Sequence, residues 1–142
     1  MSEGNVISLI GRIHEKTNRF IINELKADGI EGIVPSHGEI LNVLFSVESC
    51  TMTELAERIR RTKPTLTVLV DKLVEYGYVN REKDQKDARV TNIVLTDKGS
   101  KLKPGFREIS NKMNALVYYN LSSEEADDLE RLLRNIESRF PD

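Results

Sequence analysis

Cysteine occurs once in the 142 residues, as Cys50, so no disulfide can form within the chain. A reducing cytoplasm is the expected setting for such a sequence. Histidine occurs twice, as His14 and His37, too few and too far apart in sequence to spell a zinc motif. No apolar run approaches the roughly 18 residues that a membrane span requires. Met1-Ser2-Glu3-Gly4-Asn5 lacks the basic and apolar regions of a secretory signal. There is no internal repeat, low-complexity tract or linker. There is also no nucleophile–base set and no phosphate-cradling glycine loop, so we expect neither an enzyme nor a cofactor. An excess of positive charge is missing too, because the formal net charge is -2.

What is present is an ordinary globular composition, 39% hydrophobic and 31% charged, which argues against disorder and fits one domain over residues 1–142. The distribution of charge is more telling than its sum. Residues 51–89 hold nine Lys/Arg and seven Asp/Glu, a local +2; the rest hold twelve and sixteen, for -4. Arg58, Arg60, Arg61 and Lys63 follow one another with no acid between them. Alone, such a run is commonly a solvated helix face.

Apolar spacing and capping residues predict the elements. Residues 6–27 form an amphipathic helix, stopped by Asp28-Gly29, and a loop over 30–35 follows. Ser36 with Glu39 spells a capping box that opens a helix to about Ser46. Thr51 with Glu54 spells another. Thr62 caps a further helix, with Pro64 in its first turn, running to about Tyr76 and ended by Gly77. The period then drops to two: Tyr78–Lys83 and Val90–Leu95 are strands around a polar tip. Thr96 caps a long helix from Asp97 to about Tyr119, with a kink or break at Pro104-Gly105. Ser122 with Glu125 opens the last helix. The fold class is mainly α with a small β-hairpin wing. A winged helix-turn-helix occupies residues 36–95, with helical parts at 1–30 and 97–142.

Two short helices joined by a tight turn can place the second in a DNA major groove. The second helix opens with Lys63, Thr65 and Thr67, a cation and hydroxyls at a helix N-terminus that also favours phosphates. Hydroxyls can bond base edges. The candidate contacts on this unit are Arg60, Arg61, Lys63, Thr65, Thr67 and Lys72, while Thr62 is read as a cap. The hairpin adds Arg81, Lys83, Lys86 and Arg89; of these, Lys86 and Arg89 near the tip are candidate contacts. A long Arg on a ribbon can enter a narrow minor groove. Asp87 is placed to orient Arg89 by a charge-assisted hydrogen bond, and Asp84 reads as turn chemistry.

Asp84-Gln85-Lys86-Asp87-Ala88-Arg89, followed by Leu95-Thr96-Asp97-Lys98-Gly99, resembles the wing signature of the MarR family of regulators, approximately D-x-R-D-x-R and then L-T-x-K-G. Thr53-Glu54-Leu55-Ala56-Glu57 and Leu73-Val74-Glu75-Tyr76-Gly77-Tyr78-Val79 are similar to the family as well. Lys86 stands where the family more often has Arg, which keeps the charge and loses the planar fork. The resemblance implies a homodimer held by the first helix and the last two. It implies a recognition helix from Lys63 in the major groove and Arg89 in the minor groove. It further implies a repressor released by a small aromatic or phenolic ligand. The expected partners are therefore a second copy of the chain, double-stranded DNA with a pseudo-palindromic site, and such a ligand. The apolar residues of the first and last helices point to a twofold interface independently.

The remaining signals read as structural. Cys50 has acidic Glu48 beside it and is expected to be an inert thiol. Family members that sense peroxide carry their cysteine in the first helix, where this chain has none. His14 and His37 are expected to be structural or surface residues, and Tyr118-Tyr119 core or interface residues that can also line a ligand cavity. A second reading stays open: a winged helix that serves as a protein-interaction module without DNA.

Overall fold

The computed structural model describes residues 4–30 and 32–142. The reading of Met1-Ser2-Glu3, and Glu31 in the expected loop, lie outside them. The chain forms two units, one up to Ile109 and one from Ser110 to Asp142.

Helix α1 spans Val6–Ala27. It ends because Gly29 takes φ +79, a left-handed conformation. The Ile30 amide then bonds the Leu25 carbonyl at 2.8 Å, a glycine-closed helix end. Helix α2 spans Pro35–Val47 and departs from the expected cap. Pro35 takes the first helical position, so Ser36 already lies inside the helix. The His37 ring supplies the acceptor instead: its Nδ1 receives the Val34 amide at 3.1 Å. Glu39 is thereby free to pair with Arg61 at 3.4 Å.

A strand that sequence periodicity did not show, β1 (Ser49–Thr51), leads directly into α3 (Met52–Ile59). Helix α4 spans Lys63–Glu75. Strands β2 (Val79–Lys83) and β3 (Thr91–Leu95) form the hairpin, each shorter by one residue than expected. The sheet is antiparallel in the order β1-β3-β2, with Cys50 opposite Ile93 and Arg81 opposite Ile93 on the other side.

Thr96 caps a helix that breaks earlier than expected. Helix α5 covers only Asp97–Ser100, and α6 starts at Lys103 and runs to Val117. Pro104 lacks an amide and its ring excludes the carbonyl four residues back, so it sits in the first turn of α6 and the break falls before it. Helix α7 spans Ser123–Glu137, with the expected capping box complete: Glu125 N bonds Ser122 Oγ and Ser122 N bonds the Glu125 carboxylate, both at 3.0 Å.

The core of the first unit gathers Leu25, Ile40, Leu55, Leu66, Leu73 and Ile93, all at most 2% exposed. Each of these side chains contributes about 1.5–3 kcal/mol of burial. Together they hold α2, α3 and α4 against β3. Among the described residues, no helix is long and apolar enough to cross a membrane.

Candidate nucleic-acid interface

The turn between α3 and α4 is three residues long, Arg60-Arg61-Thr62. Arg60 takes φ 55, ψ 49, so a left-handed residue closes α3, and the Arg61 amide reaches back to the Ala56 carbonyl at 3.1 Å. Thr62 is the N-cap of α4, its Oγ1 facing the Thr65 amide at 3.5 Å. The Thr62 hydroxyl also donates to Thr65 Oγ1 at 3.0 Å, which leaves the Thr65 hydroxyl proton available to an outside acceptor. Thr67 Oγ1 donates to the Lys63 carbonyl at 2.9 Å and keeps its lone pairs for outside donors.

The wing tip is built on Asp84. Its carboxylate accepts from Asn92 Nδ2 and from the amides of Lys86 and Asp87, each at 3.1 Å. Asn92 first, then the two amides, hold this carboxyl below the usual range. Asp87 in turn grips Arg89: Oδ1 receives Nε at 3.1 Å, Oδ2 receives Nη2 at 3.2 Å, and Oδ1 also receives the Arg89 amide at 3.0 Å. The Arg89 side chain and amide lower the Asp87 pKa. Arg89 nevertheless stays 90% exposed at its side chain. The fork is oriented by the chain while the charge faces solvent.

Lys63 of α4 and Arg89 of the wing line one cleft of about 190 Å³ with Thr51, Thr53 and Thr91. Two cations from separate elements thus flank a groove whose remaining walls combine these threonine hydroxyls with the apolar Met52 and Val90. Arg60 and Arg58 line a different surface groove beside Glu39 and Asn42, and Arg61 is paired with Glu39. Lys86 is exposed at the wing tip. Lys72 lies in the last turn of α4, with its ammonium 5.5 Å from the centre of the Tyr76 ring, two turns along the helix from Thr65.

Arg81 is committed elsewhere: its guanidinium pairs with Asp71 and reaches the Thr67 carbonyl at 3.4 Å, so it ties β2 to α4. The L-T-D-K-G segment ties the same elements at the wing's base. Thr96 Oγ1 donates to the Gly77 carbonyl at 2.6 Å and accepts the Gly99 amide at 3.0 Å. Lys98 Nζ donates to the Tyr76 carbonyl at 2.6 Å, placing a cation at the C-terminal end of α4. Gly99 packs against the Tyr78 carbonyl, where any Cβ would sit 2.2 Å from the oxygen.

Sequence reasoning missed Asn92, Thr53 and Thr91 as parts of this surface. A polar Asn within a β-branched strand was the one available signal for Asn92. Cys50 lies buried in β1, and burial followed by the Glu54 charge pushes its thiol pKa up. His37 is buried, and His14 is exposed beside Asn18. Among the described residues, no group of His, Cys, Asp and Glu is arranged to hold a metal ion.

Residues 33–91 match the MarR family. The chain is 35% identical over 100 residues to the HTH-type transcriptional regulator SarZ of Staphylococcus aureus, a match that takes in 70% of this chain and 66% of SarZ. It is similar to MepR of S. aureus, solved in complex with DNA, at 26% identity and a TM-score of 0.88, over 97% of this chain and all of that one. It shares the fold of a MarR protein from Peptoclostridium difficile, with a TM-score of 0.83 at 21% identity over 98% of this chain and 89% of the other. With the wing built on Asp84 and Asp87, the clamp formed by Thr96, Lys98 and Gly99, and these likenesses, the chain belongs to the MarR family.

Proposed function

We propose that this chain is a DNA-binding transcription regulator that works in the cytoplasm as a homodimer. The observation that carries the reading is the pairing of Lys63 and Arg89 on one cleft between the N-terminus of α4 and the wing. A recognition helix in the major groove and an arginine in the adjacent minor groove need that juxtaposition. The DNA complex of the similar MepR supports it. Homodimerisation is supported by the apolar side chains left exposed in α1, among them Ile7 at 70%, and near the C-terminus, among them Leu132 at 51%. A twofold dimer presents two recognition helices about one turn of DNA, ~34 Å, apart, so the preferred site is an inverted repeat. Repression, and its release by a small aromatic or phenolic ligand, complete the proposal and rest on the family.

The test is a salt titration of binding to a selected inverted repeat and to random duplex, for the parent, Arg89→Ala and Thr65→Ala. Arg89→Ala weakens both duplexes and makes the salt dependence shallower by about one charge. Thr65→Ala costs about 1–3 kcal/mol on the selected site and little on random DNA. A parent protein that binds neither duplex even at low salt overturns the reading and leaves the protein-interaction module. Arg89→Ala binding like the parent removes the wing from it.

A further inference from the structure

We propose that Val68 reads a thymine through its 5-methyl group in the major groove, an inference that rests on the DNA-binding reading above. Val68 lies in the second turn of α4 and is 68% exposed. Leu66 and Val70, both fully buried, mark the side of the helix that faces the core. Each is two residues from Val68, about 200° of helical rotation, so Val68 stands at the middle of the opposite, outward face. Among the described residues between Glu48 and Ala115, it is the one large hydrophobic side chain that is exposed. The other exposed large apolar residues belong to α1, to the ends of α2 and to the chain from Leu116 onward. Val68 is therefore not explained by the apolar surfaces assigned to the proposed dimer.

Nor is it explained by the helix. Valine is β-branched and a weaker helix former than the polar residues usual on an exposed face. Standing open to water, it gains nothing from burial. Its neighbours on the outward face are Pro64 and Thr65 one turn before, and Asp71 and Lys72 one turn after. Apolar at Val68 and Pro64 and polar at Thr65, Asp71 and Lys72, the face fits a partner that offers a small apolar spot within a polar, anionic surface. The major groove of DNA offers such a spot in the C5-methyl of thymine, the one methyl group that the four bases present there. Valine has no donor or acceptor of its own, so methyl contact is the one mode of base reading open to it.

The experiment uses the full chain and the inverted repeat recovered by selection. Each thymine is replaced singly by deoxyuridine, which deletes the methyl and leaves the hydrogen-bonding edge unchanged. Affinities are measured for the parent, Val68→Ala and Val68→Thr, with a thermal melt of each. At one thymine per half-site, the parent is expected to lose about fourfold in affinity, the value of one buried methyl-sized group. Val68→Ala is expected to show no loss at that thymine and to melt like the parent. Val68→Thr, which keeps one methyl, is expected to fall between them. A parent indifferent to every deoxyuridine overturns the inference, and so does a Val68→Ala protein that keeps the full penalty at each thymine. Failure of the parent to bind any duplex is a different result, and it overturns the DNA-binding reading itself.

Discussion

Arg60 closes α3 in a conformation that suits glycine, with φ at 55. An L-residue there costs about 1–2 kcal/mol, and the short turn leaves no other path into α4. Arg60→Gly is therefore expected to stabilise the protein by about 1 kcal/mol, the left-handed penalty less the entropy that glycine loses. The same change removes a candidate DNA contact, so chemical denaturation and DNA affinity should move in opposite directions. A variant less stable than the parent would show that the arginine side chain outweighs its backbone. His37 holds the start of α2 only while its Nδ1 is unprotonated. Burial, then the Lys72 charge, lowers its pKa from the ordinary 6.5. The unfolded chain thus takes up the proton first. The histidine's contribution is complete above about pH 6.5 and declines as pH falls toward the folded value. His37→Gln keeps an acceptor at the third helical position and cannot titrate. Melts from pH 8 to 5 should show the parent losing more stability than the variant below 6.5; parallel curves would refute the assignment.

At the scale of elements, Arg81 joins the wing to α4 by meeting both Asp71 and the Thr67 carbonyl. The pair is partly exposed, so its loss should cost at most about 1 kcal/mol of stability. Its effect on binding should be larger. Without Arg81, an unpaired Asp71 carboxylate on the outward side of α4 repels phosphates, and the wing is less firmly set. Arg81→Ala is expected to lower affinity several-fold, and Asp71→Ala in the same chain to restore part of it. No recovery in the double variant would leave Arg81 as a direct contact instead. Much of this architecture was legible because its signals are local. Thr51, Thr62, Thr96 and Ser122 each face the amide three residues on, and a cap can be read without its tertiary context. Strand β1 was not legible: three residues carry no period, and Ser49–Thr51 becomes a strand only by pairing with β3, more than forty residues away. The capping box at Ser36 and Glu39 was misread because Pro35 claims the first helical position. The candidate cations were recognisable by type, but the meeting of Lys63 and Arg89 at one cleft, and the diversion of Arg81 and Arg61 into ion pairs, depend on tertiary packing.

For the whole molecule, the proposed dimer would cover the exposed apolar side chains of α1 and of the C-terminal unit and so make folding and assembly one equilibrium. Stability then depends on protein concentration. The thermal midpoint should rise as the protein is concentrated, and sedimentation at micromolar concentration should give twice the 16.2 kDa chain mass. A monomeric species with a concentration-independent midpoint would rule out the dimer. The sheet divides the wing in another respect. β3 is the central strand, bonded to β1 on one side and β2 on the other, and its Ile93 is fully buried. Strand pairing ends at Lys83 opposite Thr91, and beyond it the tip is held by the Asp84 turn and its bond from Asp84 N to the Val90 carbonyl. The root and tip of the wing therefore keep different time. In a hydrogen-exchange experiment, the amides of β3 are expected to stay protected until the sheet itself opens, whereas those near Lys86 and Ala88 are expected to exchange through local openings that leave the strands paired. Arg89 is thus presented by a tip that its own turn, and not the sheet, holds in place, with its guanidinium fixed on Asp87.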